Sequence, residues 1–137
     1  MEVVIDSNVL FRTLISSGDI ADIIFDPSLS LLSPERLKEE FVTHRSEILG
    51  KTRLSEKEFN ELVKDLFKRI KFVPWEEYKQ LIPRAKELLK EHVKDEDFVA
   101  LSLSKNCKFW TYESLMFKLG IAISTRELSA ALKDESL

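Results

Sequence analysis

Asp6 follows the apolar run Val3-Val4-Ile5, Glu113 comes two residues after Thr111 in Phe109-Trp110-Thr111-Tyr112-Glu113, and Asp95 and Asp97 precede the apolar segment that starts at Phe98. Gathered carboxylates suit hard divalent cations such as Mg²⁺ and Mn²⁺, which prefer oxygen ligands. Like charges about 4 Å apart repel by roughly 4 kcal/mol at an effective dielectric near 20, so such a cluster takes up cations or protons. If Asp6, Glu40, Asp95 and Glu113 meet, the chemistry they fit is metal-assisted hydrolysis of a phosphodiester, in which cationic charge stabilises the crowded phosphate and the leaving oxygen.

Whether they meet depends on the elements that carry them. Val3-Val4-Ile5 is a short β-branched run of the kind buried in a parallel sheet. Leu29-Ser30-Leu31-Leu32, Lys71-Phe72-Val73, Phe109-Trp110-Thr111 and Ile121-Ala122-Ile123 read as further strands. Helices are expected from about Asn8 to Ser16, from Ile20 to Phe25, and from a Ser33-Pro34 start to about Leu49, with Gly50 as the stop. Ser55-Glu56-Lys57-Glu58 fits a capping box opening a helix along which Phe59, Leu62, Val63, Leu66, Phe67 and Ile70 repeat. Further helices follow Pro83, run through Phe98 to Leu103, join the last two strands over Ser114 to Leu119, and begin at Thr125.

Strands alternating with helices predict an α/β domain with a mostly parallel sheet. Sites in such sheets form outside the carboxyl ends of the strands, where Asp6 and Glu113 both fall. Asp95 and Asp97 sit at the start of a buried helix, whose end favours anions. At about 100° per residue, Glu40 flanks the stripe formed by Leu37, Phe41 and Ile48, beside His44, whereas Glu39 points nearly opposite it. Taken singly, Asp6 and Asp95 read equally well as helix caps and Glu40 as a surface glutamate.

The 137 residues predict one domain, 1–137, with 44% hydrophobic and 33% charged residues indicating a packed globular core. No apolar stretch approaches the roughly 20 residues of a membrane span, and no basic region precedes an apolar leader, so the expected location is cytoplasmic with no membrane contact. The only cysteine, Cys107, excludes an internal disulfide and reads as a buried small hydrophobe. The net charge of -3 argues against a surface that grips nucleic acid all over, but two divalent cations would take it to +1. Arg12, Lys64, Lys68 and Arg84 are candidate phosphate contacts, and Trp75, Tyr78 and Trp110 candidate stacking residues, with the core the expected home of Trp110. His44 and His92 belong to no nucleophile or metal motif and read as structural or solvent-facing.

Val4-Ile5-Asp6-Ser7-Asn8-Val9-Leu10 resembles the opening of PIN domains, in which a hydrophobic strand ends in Asp followed closely by a second polar residue. Asp95-Glu96-Asp97-Phe98-Val99-Ala100-Leu101-Ser102 resembles their buried helix, and Phe109-Trp110-Thr111-Tyr112-Glu113 their strand ending in Thr or Ser, any residue, then an acid. The separation 113 minus 95, which is 18, fits those two acids better than the 16 obtained from Asp97. The chain departs from the pattern at Glu113, where Asp is more usual. The resemblance spans nearly the whole chain and implies a three-layer α/β/α sandwich and a Mg²⁺- or Mn²⁺-dependent endoribonuclease. Asp6, Glu40, Asp95 and Glu113 would be its catalytic residues, with Asp6, Asp95 and Glu113 binding metal. Asn8, Asp97 and Thr111 would orient these ligands. The implied partners are an RNA substrate and, as in toxin-type members, an antitoxin protein; a homodimer is a further candidate. The alternatives are a non-catalytic PIN-like nucleic-acid-binding or scaffold protein, a DNA nuclease with the same metal chemistry, and a phosphoacceptor domain of the receiver or phosphatase type. The last is disfavoured by Asn at position 8, where a phosphatase would want Asp.

Overall fold

The computed structural model describes residues 1–16 and 18–135. β1 (Glu2–Ile5) carries Val3, Val4 and Ile5 with no solvent exposure, as a strand covered on both faces requires. There follow α1 (Ser7–Ser16), α2 (Gly18–Ile24), β2 (Ser30–Pro34), α3 (Arg36–Lys51), α4 (Glu56–Arg69) and β3 (Ile70–Val73). Two 3-10 turns lead to α5 (Ile82–Leu89), and a third, Val93–Asp95, leads to α6 (Glu96–Lys105). The chain continues through β4 (Lys108–Trp110), α7 (Ser114–Lys118), β5 (Ala122–Ile123) and α8 (Thr125–Glu135).

All five strands pair in parallel in the order β3-β2-β1-β4-β5, so the expected mostly parallel sheet is wholly parallel among the described residues. The order explains where a crevice must open. From β1 the chain builds outward through β2 to β3, then crosses back to β4 on the other side of β1 and continues to β5. Right-handed crossovers running in opposite directions put their helices on opposite faces. Accordingly α1 packs on α3 and α4, whereas α5 packs on α6. Between β1 and β4 the two sets of loops diverge, and that switch point is where an open α/β sheet leaves a crevice.

α6 is the pillar under the crevice. Phe98, Val99, Ala100, Leu101 and Ser102 are five consecutive buried residues, so the helix is covered all round over that stretch, and it packs on β1, β2 and β4. Asn106 ends it in the left-handed conformation at φ 50, its N–H reaching back to the Ser102 and Leu103 carbonyls. The chain then reverses directly into β4 beneath the site.

The expected Ser33-Pro34 helix start is not what forms. Both residues belong to β2, paired with Phe72 and Val73 of β3, and the Ser33 hydroxyl donates to the Pro34 carbonyl. Pairing with β1 stops at Leu32, so Pro34 needs no ladder bond on that side and is tolerated there. α3 begins instead at Arg36, after Glu35, whose side chain makes no capping bond. Gly50 lies inside α3 rather than ending it; the helix stops at Thr52, whose hydroxyl donates to the Leu14 carbonyl of α1 at 2.7 Å. Ile70, read as the last helical repeat of α4, opens β3.

The capping box of α4 forms as expected. Glu58 N–H donates to Ser55 Oγ at 3.1 Å, and Ser55 N–H donates to Glu58 Oε1 at 3.0 Å. Ser55→Ala is expected to cost about 1 kcal/mol, read as a lower denaturant midpoint with an unchanged slope.

Candidate active site

Asp6 leaves β1 at the switch point and is held by both neighbours. Its backbone N–H continues the ladder to the Trp110 carbonyl at 3.0 Å, and its own carbonyl accepts from the N–H of Val9 and Leu10 at the start of α1. The side chain divides its oxygens. Oδ2 accepts the Thr111 hydroxyl at 2.6 Å, across 105 residues of sequence, and Oδ1 lies 3.4 Å from the Asn8 N–H. Asp6 is therefore a loose helix cap and also a carboxylate pinned by the end of β4.

Thr111 Oγ1 in turn accepts the Glu113 N–H at 3.1 Å, fixing the loop that carries Glu113. Asp95 occupies the N-cap position of α6, yet its side chain makes no capping hydrogen bond. Its carboxylate is left to the crevice. Glu40 approaches from α3, where the Ser7 hydroxyl donates to its Oε2 and Arg36 Nε lies 3.3 Å from its Oε1.

These four acids line one cleft of about 470 Å³, together with Ser7, Asn8, Phe11, Arg36, His44 and Lys94. Residues from four separate stretches of chain thus converge as the strand-end and helical-phase arguments require. Their electrostatics follow from the crowding. Burial pushes the Asp6 carboxyl up to about 7; the Asp95 and Glu113 charges add to the rise, and the Thr111 hydroxyl and Asn8 N–H oppose it. Burial, then the Glu113 and Glu40 charges, lift Asp95 to about 6 against Arg36 and Lys94. As the side chains stand, no three acids, histidines or cysteines among the described residues are grouped tightly enough to hold one ion together.

The match to a PIN-domain family model runs over residues 4–133. The chain belongs to the PIN-domain family. PIN domains are generally nucleases, and the family generally uses divalent metal ions. No match was found among curated proteins. Among the described residues no helix is long and apolar enough to cross a membrane.

Not every expected residue reaches the cleft of this PIN domain. The Asp97 carboxylate accepts from the Tyr78 hydroxyl at 3.2 Å and does not line the cleft. The two residues after Asp95 turn away from it, Glu96 to Lys86 of α5 at 3.8 Å and Asp97 to Tyr78 between the first two 3-10 turns. Tyr78 is 2% exposed and Trp110 is wholly buried, its indole N–H donating to Thr125 Oγ1, so neither offers a stacking face. Trp75 is half-exposed, with Lys79 over its ring. Lys64, Lys68 and Arg84 lie away from the cleft, Arg84 paired with Glu87. Cys107 is partly buried and burial pushes its thiol up to about 11, in keeping with an unreactive side chain.

Arg36 and Lys94 are the cleft's own cations, and sequence reasoning missed both. Arg36 was hidden by the misplaced start of α3, and Lys94 by its position in a 3-10 turn with no periodicity of its own. His44 does reach the cleft, solvent-facing as expected, with Nδ1 3.6 Å from Glu47.

Proposed function

We propose that this PIN domain is a Mg²⁺- or Mn²⁺-dependent endoribonuclease that hydrolyses RNA phosphodiester bonds at the Asp6, Glu40, Asp95 and Glu113 cleft. The observation that carries the reading is the convergence of Asp6, Glu40, Asp95 and Glu113, from four separate stretches of chain, on one cleft at the switch point of the sheet, with burial raising the proton affinity of Asp6 and Asp95 beside the other acids. The donor set is all oxygen, as Mg²⁺ and Mn²⁺ prefer, and Mg²⁺ is bound through only one or two carboxylates with waters and substrate phosphate oxygens completing the shell. A cation there would supply Lewis-acid stabilisation of the phosphate and an activated water.

Asp6 and Asp95 are the principal holders, with Glu113 and Glu40 completing the site directly or through water. Thr111 orients Asp6 by its hydroxyl and Asn8 does so by its backbone N–H. Ser7 and Arg36 hold Glu40, and Arg36 with Lys94 brings positive charge to the rim where a phosphate must enter an acidic cleft. The test is a Mn²⁺ titration with labelled RNA and DNA of one sequence side by side. Cleavage is expected only with metal and faster on RNA; RNA left intact at millimolar Mn²⁺ would end the proposal.

One observation favours a second reading, a non-catalytic PIN scaffold. Glu40 is already engaged by Ser7 and Arg36, and no three acids are grouped tightly enough to hold one ion together. That reading expects RNA binding without cleavage in the same titration.

A further inference from the structure

The acidic cleft does not stop at the carboxylates. Beside it a second pocket of about 340 Å³ lies between α1 and α3, sharing Asn8, Phe11 and His44 with the cleft. The volume is within the roughly 300–1,000 Å³ of small-molecule sites. It is built by two helices presenting matched stripes: residues 8, 11, 12 and 15 of α1 face residues 44, 47, 48 and 51 of α3.

The chemistry of its walls is divided. Phe11, Ile15 and Ile48 make an apolar floor, and the Phe11 and His44 rings lie 5.8 Å apart at the cleft end. Arg12 and Lys51 stand at the rim. Lys51 pairs with Glu47 at 3.0 Å, but Arg12 has no carboxylate partner among the described residues; its guanidinium lies over the Tyr112 ring at 5.3 Å. Tyr112 is 41% exposed and joins Thr111 to Glu113, so the Arg12 contact connects this pocket to the loop that carries a cleft acid. An apolar floor with a flat ring, an unneutralised guanidinium and direct continuity with a phosphate-chemistry cleft together describe a receptor for one nucleotide.

We propose that this pocket is the subsite for the nucleotide adjoining the scissile phosphodiester of a single-stranded substrate, an inference that rests on the nuclease reading. The base lies against Phe11, Ile15 and Ile48, and its phosphate is met by Arg12. An unpaired strand is required because a base must leave its stack to reach the floor. The placement also answers an electrostatic need: a polyanion approaching four carboxylates gains a cationic foothold immediately to one side.

Nitrogen–proton correlation spectra of the full chain, titrated in metal-free buffer with 5′-AMP, 5′-UMP and inorganic phosphate, test the pocket apart from catalysis. Nucleotide-induced shifts are expected along residues 8–15 and 44–51, with inorganic phosphate moving only the amides near Arg12. Arg12→Glu is expected to weaken nucleotide binding about tenfold. In Mn²⁺-dependent cleavage the same variant raises KM about tenfold more than it lowers kcat and reduces the salt slope of binding by about 0.7 for a single-strand phosphate contact. Lys64→Glu, the same charge reversal on exposed α4, leaves KM unchanged. Shifts located elsewhere, or a wild-type KM in Arg12→Glu, overturn the subsite while leaving the nuclease reading intact. Nucleotide shifts at this pocket in a protein that cleaves nothing uphold the pocket as a nucleotide receptor and overturn its place beside a scissile bond.

Discussion

Asp6→Asn is expected to lower metal-dependent RNA cleavage at least about a hundredfold with the fold intact. Asparagine keeps the shape of the side chain, and its amide oxygen can still accept the Thr111 hydroxyl that now sits 2.6 Å from Asp6. What disappears is the negative charge. Electrostatic stabilisation through a bound cation is worth several kcal/mol in the transition state, and each 1.4 kcal/mol is about tenfold in rate. Asp95→Asn should lose a similar factor, whereas Thr111→Val, which removes the hydroxyl that supports Asp6 and the Glu113 loop but no charge, falls nearer tenfold. Initial rates in Mn²⁺, with circular dichroism to establish folding, give the comparison. Wild-type rates in both Asn variants would place the chemistry elsewhere.

The second large effect is on stability in the absence of metal. Asp6 is nearly fully buried and its carboxyl is pushed up to about 7, from an ordinary value of 3.8 in the unfolded chain. Between those values the folded protein holds a proton that the unfolded chain has released, so stability falls as pH rises through that window and is level above it. Each tenfold difference in proton affinity is worth about 1.4 kcal/mol, which puts the Asp6 contribution on the order of 4 kcal/mol. Asp95 acts in the same direction over a narrower window, up to about 6. Asp26, lowered by the Ser28 hydrogen bonds, works the other way and loses its contribution only as pH drops below the ordinary carboxylate range. Metal-free protein should therefore melt highest near pH 4, lower at pH 5 and several degrees lower again at pH 8. Mn²⁺, which competes with protons for the same carboxylates, should restore melting temperature at pH 8 far more than at pH 5. Asp6→Asn should flatten most of the pH dependence. A melting temperature that is constant from pH 5 to 8, with and without Mn²⁺, would contradict the account.

How much of this was legible depended on which force decided each residue. β1, β4 and α6 are dictated by burial, and their apolar runs announce it; Asp6 and Glu113 could be placed because strand ends in a parallel sheet all point to one edge. Glu40 could be placed because helical phase survives an error in the start of α3. That start itself was misread because Ser33-Pro34 carries a strong local signal for a helix, and pairing with Phe72 and Val73 across the sheet outweighs it. Gly50 failed as a stop for the same reason: the Thr52 to Leu14 contact, 38 residues apart, fixes where α3 ends. Asp95 and Asp97 are two residues apart beside a helix start, and only the exact start of α6 separates the one at the cleft from the one bonded to Tyr78. Arg12 was among the basic candidates, but Tyr112 beneath it was not among the stacking ones, since nothing local marks a loop aromatic between two site residues.

The hydrogen bond from Thr111 to Asp6 joins the first strand to the fourth, with every other catalytic candidate except Glu113 encoded between them. During synthesis from the amino end, β1 therefore waits, unpaired on that side, until β4 has been made. No nascent fragment ending before β4 can assemble the four-acid cleft, however well its early helices fold.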